Sequence, residues 1–205
     1  MLTHVPFVAG RRTTSDRHTG ATGMIDAMTT ASGDFDLTMD ELRAVAHYVA
    51  KSAEGVYPFF AEVCPDDPRP RAAIDAAWQF INGARRSNLQ RMTSLDAHRA
   101  AREAPTEAAR LAARAAGDAA SAAYLHPIAQ GRQVGHILRA AACTARIREL
   151  TNDDPLAGAS AIEDARRRAT PVLIDVLNRY PEFPRGWSRV EQLMSVLDSS
   201  LRTSR

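Results

Sequence analysis

The stretch AAYLHPIAQGRQVGHILRAAACTAR, residues 122–146, carries two histidines, a proline between helical runs and a row of polar side chains. His126, Arg132, Gln133, His136 and Arg139 are the residue types that line a polar pocket between helices, where a small molecule or a substrate could be held. The competing reading is a buried turn in which His126 caps a helix end by hydrogen bonding. A second candidate is CPDDPRPRAAIDAAW at 64–78, which crowds three prolines and four charges into a few residues. Arg69 and Arg71 sit in the first turn of a helix, where the positive end of the dipole disfavours a cation. They therefore face an anion, either an acidic segment of this chain such as Asp153-Asp154 or the carboxylates of a partner. Trp78 lies two turns further along the same helix, at a core position of its apolar row.

Most catalytic and ligand-binding motifs are missing. The sequence has neither G-x-x-x-x-G-K-[ST] nor G-x-G-x-x-G to cradle nucleotide phosphates, and neither H-E-x-x-H nor C-x-x-C to bind a metal. His47, His98, His126 and His136 come singly, so a metal site would need convergence over long range. No G-x-S-x-G is present, and Cys64 precedes a proline in a loop, an ordinary place for a thiol. The pairs Asp66-Asp67 and Asp153-Asp154 stand at helix starts, where capping accounts for them. Arg85-Arg86 and Arg166-Arg167-Arg168 read as solvated faces, the latter paired with Glu163 and Asp164. No catalytic residue, metal ligand or cofactor is assigned, which leans against an enzyme without deciding the question.

The elements that must position these residues are helical throughout. Thr38-Met39-Asp40-Glu41 is a capping box, and Leu42, Val45, Val49, Ala53 and Val56 follow at helical spacing until Pro58 stops the helix. A second helix starts at Asp66 or Asp67, accepts Pro68 and Pro70 in its first turn and ends at Gly83. Its buried row is Ile74, Ala77, Trp78 and Ile81. Further helices are predicted over about 87–104, from Thr106 to the proline at 127, and over about 131–150. Ala109, Ala113, Gly117 and Ser121, four residues apart, allow a neighbouring helix to approach closely. The 131–150 helix points Val134, Leu138, Ala141 and Ala145 inward and Arg132, His136, Arg139, Cys143 and Arg146 the other way. After TNDDP comes a helix to about Tyr180, kinked at Pro171, and another from Ser188 carrying Val190, Leu193, Met194, Leu197 and Leu201. No alternating strand pattern appears. The expectation is an all-α, single-domain bundle of about seven helices over 36–205, preceded by a disordered tail over 1–35. Met24 and Met28 are alternative starts to Met1.

Composition narrows the function classes. Of 205 residues 38 are alanine, and 25 of the 26 basic residues are arginine, Lys51 being the exception. A formal net charge of +2 gives no field for nucleic acid or an anionic membrane. No apolar run approaches the roughly 18 residues of a spanning helix, and Arg11-Arg12 is not followed by the apolar stretch of a twin-arginine signal. Cys64 and Cys143 form no disulfide framework and suit a reducing compartment. These features point to the cytoplasm.

DPRPRAAIDAAWQF, the alanine-rich helix ending AAYLHP, QVGHILRAAACTAR and ATPVLIDVLNRYP together resemble the Imm-5-like immunity proteins, in order and spacing, over about 37–201. The resemblance implies an all-helical protein that neutralises a toxin in bacterial competition, with a protein partner and no established catalytic residues. The family pattern falls on Asp67, Pro68, Arg69, Pro70, Arg71, Trp78, His126, Pro127, Gln133 and His136. Some short relatives carry an exonuclease label, which the missing phosphate loop and metal-binding carboxylates argue against here.

Two functions are compatible with these readings. The first is a non-catalytic binding protein that neutralises a toxin by surface occlusion, using Arg69, Arg71, Trp78, His126, Arg132, Gln133, His136 and Arg139 as candidate contacts. The alternative is a small-molecule binder or helical enzyme with a pocket near His126, His136 and Trp78. The oligomeric state is open.

Overall fold

The computed structural model describes residues 35–203. The expectations for the tail, the alternative starts and Arg11-Arg12 concern residues outside that range; of the expected tail, only Phe35 is described. The helices fall in one compact unit, Gly33–Arg205. In order they are α1 (Met39–Val56), α2 (Pro58–Ala61), α3 (Arg69–Ile81), α4 (Asn88–Glu103), α5 (Glu107–Ser121), α6 (Val134–Thr151), α7 (Ala157–Arg168), α8 (Pro171–Asn178) and α9 (Arg189–Arg202). The described residues are all-α, with no strand element, and none of their helices is long and apolar enough to cross a membrane.

The helix starts follow from local chemistry. Thr38 and Glu41 form the expected capping box, the Thr38 hydroxyl accepting the Glu41 amide at 3.2 Å. Two more boxes, Ser87 with Gln90 and Ser188 with Glu191, open α4 and α9. At α3 the Asp67 carboxylate accepts the Arg69 amide at 3.1 Å, and Pro70 occupies the first turn. Gly83 ends this helix at φ 101°, with its amide on Phe80 and that of Ala84 on Gln79. This is a left-handed cap that glycine adopts without strain.

Among the described residues, two departures raise the α-helix count from about seven to nine. Pro58 ends α1 but also opens the single turn α2, because a proline fits the first position of a helix as well as it terminates one. The helix expected to kink at Pro171 is broken instead. Proline disfavours the α conformation in the residue before it, and Thr170 is extended at ψ 157°, its hydroxyl accepting the Leu173 amide and starting α8 afresh.

α5 is the central helix, packed by α1, α3, α4 and α6. Its buried residues are almost all alanine, with Gly117 where α4 crosses: a methyl at 117 would lie 2.8–2.9 Å from the imidazole of His98. Ser94 of α4 donates to the Gly117 carbonyl at 2.8 Å. The close approach expected from the small residues of α5 is therefore present. α6 is also enclosed, and Cys143, expected on its outer side, is fully buried. The reason is that α6 packs against α1, α5, α7 and α9, which leaves it little outer side.

Candidate binding surfaces

Asp118 of α5 carries a carboxylate sealed from solvent, and Arg139 of α6 grips it, Nε to Oδ2 at 2.8 Å and Nη2 to Oδ1 at 2.7 Å. His98 of α4 stands 3.8 Å from the same carboxylate. Burial pushes the His98 imidazole below its usual pKa, more than Asp118 raises it. His136 is lowered for the same first reason, and then by the neighbouring Arg139. Both histidines are therefore neutral near pH 7, and the positive charge of this region belongs to arginine. His98 and Asp118 come from separate helices, which is why neither stood out in the sequence.

Two cavities open beside Arg139. One, of about 420 Å³, is bounded by α5, the start of α6, the loop after α8 and the first turns of α9, with Arg114, Arg132, Arg139 and Arg185 in its wall. The other, of about 440 Å³, shares Arg114 and Arg139 and adds His98, Arg102 and Arg110. Among the described residues no group of three or more histidine, cysteine or acidic side chains could hold a metal ion.

The remaining predicted residues do not join this centre. Arg69 is chelated by Asp67, its Nε 2.9 Å from Oδ1, and it also pairs with Glu103. Arg71 pairs with Asp75 at 2.9 Å. Both cations thus face anions of their own chain, though not Asp153 or Asp154. Trp78 is only half-buried rather than a core anchor; its Nε1 donates to Glu54 at 2.7 Å, His47 meets its ring edge-on and Lys51 lies over it at 4.9 Å. An indole must place its N–H, and on this half-exposed helix flank Glu54 is the acceptor within reach. His126 is exposed, so the buried-turn reading does not hold; its carbonyl, not its ring, accepts the Tyr180 hydroxyl at 2.9 Å. Gln133 is half-buried, with its Oε1 enclosed and unbonded. His126, His136 and Trp78 line none of these cavities.

Sequence reasoning missed one surface altogether. α4 buries its small and polar residues, Gln90, Ser94, Ala97 and Ala100, against α3 and α5. Its large apolar residues point outward, Leu89 at 41% exposure, Met92 at 45% and Leu95 at 48%. Around this row stand Arg85 and Arg102, which have no carboxylate partner among the described residues. Arg91 also lies close by, stacked on the Tyr124 ring at 5.1 Å. The signal was legible: large apolar residues recur three apart, at 89, 92 and 95, out of phase with the small residues that α5 requires.

Neither a curated protein nor a solved structure matches the chain. The family match takes in α1 to α5 and the turn before α6, and stops short of the stretch to about 201 over which the sequence resembles the family. Residues 36–132, just under half of the chain, match the family model described as Imm-5 like putative immunity protein.

Proposed function

We propose that this chain is a cytoplasmic, non-catalytic binding protein that neutralises a toxin by occluding its surface, and that α4 supplies the contact. The observation that carries the reading is the outward row Leu89, Met92 and Leu95, which lies inside the family-matched stretch and exposes apolar surface that the fold itself does not use. A contiguous apolar patch rimmed by polar groups marks an interaction site on a soluble protein. Arginine and methionine are enriched in protein interfaces, and arginine is also frequent among the residues that carry most of the binding energy. Arg85, Arg91 and Arg102 would complement an acidic rim on the partner.

The test begins with affinity capture from the native cell, followed by purification of the captured protein and its expression in a susceptible host. The wild-type chain is expected to restore growth. The triple variant Leu89→Glu, Met92→Glu, Leu95→Glu should fold and fail to protect. Full protection by that variant would remove α4 from the interface. Captured proteins that do not arrest growth would end the immunity reading.

A further inference from the structure

The geometry points to the 420 Å³ cleft between α6, α9 and the loop joining α8 to α9 as a binding site for a small phosphate-bearing molecule. The site is independent of the α4 surface and of the immunity reading. Four arginines, Arg114, Arg132, Arg139 and Arg185, line it from three separate segments of chain. One carboxylate shares the wall, that of Glu191. It is already committed to the helix cap, accepting the Ser188 amide at 2.9 Å and hydroxyl at 2.8 Å.

Arg132 and Arg185 have no carboxylate partner among the described residues, and Arg114 has none within ion-pair distance, although the Glu191 carboxylate feels its charge. Close by, other arginines are paired: Arg146 with Glu107 and Glu149, Arg189 with Glu149 and Arg202 with Asp198. Arg114, Arg132 and Arg185 are exposed, and cations of one sign lining a cleft raise the local concentration of anions. A phosphoryl group is the anion that fits, since several guanidinium forks can each donate to its oxygens.

The wall is built in advance of any ligand. Asp118 holds Arg139 through Nε and Nη2, which leaves Nη1 without an acceptor among the described residues. Next to Nη1 the chain has Gly135, where a Cβ would stand 3.6 Å from that nitrogen and 3.9 Å from the Phe183 ring. The loop is pinned on both flanks. The Phe183 amide donates to buried Asp198 at 2.8 Å, and a side chain at Gly131 would collide with the Glu182 carbonyl. A donor held in advance, as Arg139 is, loses little freedom on binding. Phe183, Val190 and Met194 give the cleft an apolar side, so the ligand has an organic part beside its phosphate. The volume lies within the usual range for small-molecule sites.

The experiment titrates the full chain by calorimetry with phenyl phosphate and with inorganic phosphate, at constant ionic strength set with chloride. Binding of phenyl phosphate several-fold tighter than inorganic phosphate is expected. The double variant Arg132→Ala, Arg185→Ala, which breaks no internal ion pair, should weaken it by at least about tenfold. Gly135→Leu should also weaken it by filling the space before Arg139. Equal affinity for the two probes would remove the organic part of the proposal and leave a free-phosphate site. No heat above the chloride control, or undiminished binding by the double variant, would overturn the site itself. The α4 triple variant should bind phenyl phosphate like wild type, which keeps this outcome separate from the immunity reading.

Discussion

Arg139 and Asp118 face each other across the contact between α6 and α5 as a two-point pair, with the carboxylate wholly buried. Such a pair adds little net stability compared with apolar residues of the same size, because desolvation offsets the attraction. Removing one partner is a different matter, since it strands a charge. Asp118→Ala is expected to lower unfolding free energy by about 3–5 kcal/mol, measured by urea denaturation at neutral pH. Adding Arg139→Met to the variant should recover much of that loss. If the single replacement is nearly silent, the solvent that already reaches Arg139 from the cleft makes up for the lost partner.

Gly117 lets α4 and α5 meet, with His98 over it. Alanine at 117 gains about 1 kcal/mol of helix propensity but forces the imidazole aside. Gly117→Ala is therefore expected to destabilise the wild type by about 1–3 kcal/mol, the usual range for overpacking. In a His98→Ala background the same change should become stabilising. A double-mutant cycle by thermal unfolding reads the sign change, and additivity of the two replacements would show that the contact does not restrict the helix crossing.

The hydrogen bond from Trp78 to Glu54 predicts a modest effect rather than that of a core aromatic. Trp78→Phe keeps the ring against α1 and is expected to cost about 1 kcal/mol. Because Trp187 is almost fully exposed, the blue-shifted part of the intrinsic fluorescence should come from Trp78 and vanish in this variant. A spectrum that loses only red emission would place Trp78 in water.

Glu41 carries a pH-dependent share of stability. The hydrogen bond from Arg179, and then the Thr38 amide, lower its carboxyl from 4.5 to about 2. A carboxylate depressed on folding contributes stability above its unfolded pKa and loses it as pH falls toward the folded value. Stability should therefore decline between pH 4.5 and about 2, with Asp67 and Glu149, also lowered by arginines, adding to the decline. Arg179→Ala should make the decline shallower in a series of urea titrations across that window. An unchanged slope would mean that Glu41 does not need Arg179.

The α4 row gives a prediction that separates folding from binding. Leu89, Met92 and Leu95 each keep close to half of their surface in solvent, so Met92→Glu is expected to change stability by no more than about 0.5 kcal/mol. Circular dichroism melts check this directly. A large loss would show that the row supports the bundle and is not a free surface.

The features that the sequence determined by itself are local. The Thr38 box, the Gly83 stop and the apolar row of α9 depend on residues within one or two turns of each other, and each appears where the spacing predicted it; α3 starts one residue later than expected, with Pro68 at the cap and Arg69 first in the helix. Pro58 reads as a break and Pro171 as a kink, and local chemistry set the element after each proline, a one-turn helix at Pro58 and a recapped helix at Pro171. The all-α class rests on the same short-range rules.

The tertiary structure decided everything that depends on which helix lies against which. The sequence put Arg139 and Cys143 on one outer side of α6, yet α6 is enclosed by four neighbours, so Cys143 is buried and Arg139 finds Asp118 on another helix. Arg114, Arg132 and Arg185 lie far apart along the chain and line one cleft only because the loop before α9 folds back over the start of α6. His126 and Trp78, singled out by type, stay outside that centre. Periodicity reports how one helix divides its own faces. Which of those faces meets water is settled by the neighbours it packs against, and a single sequence does not name them.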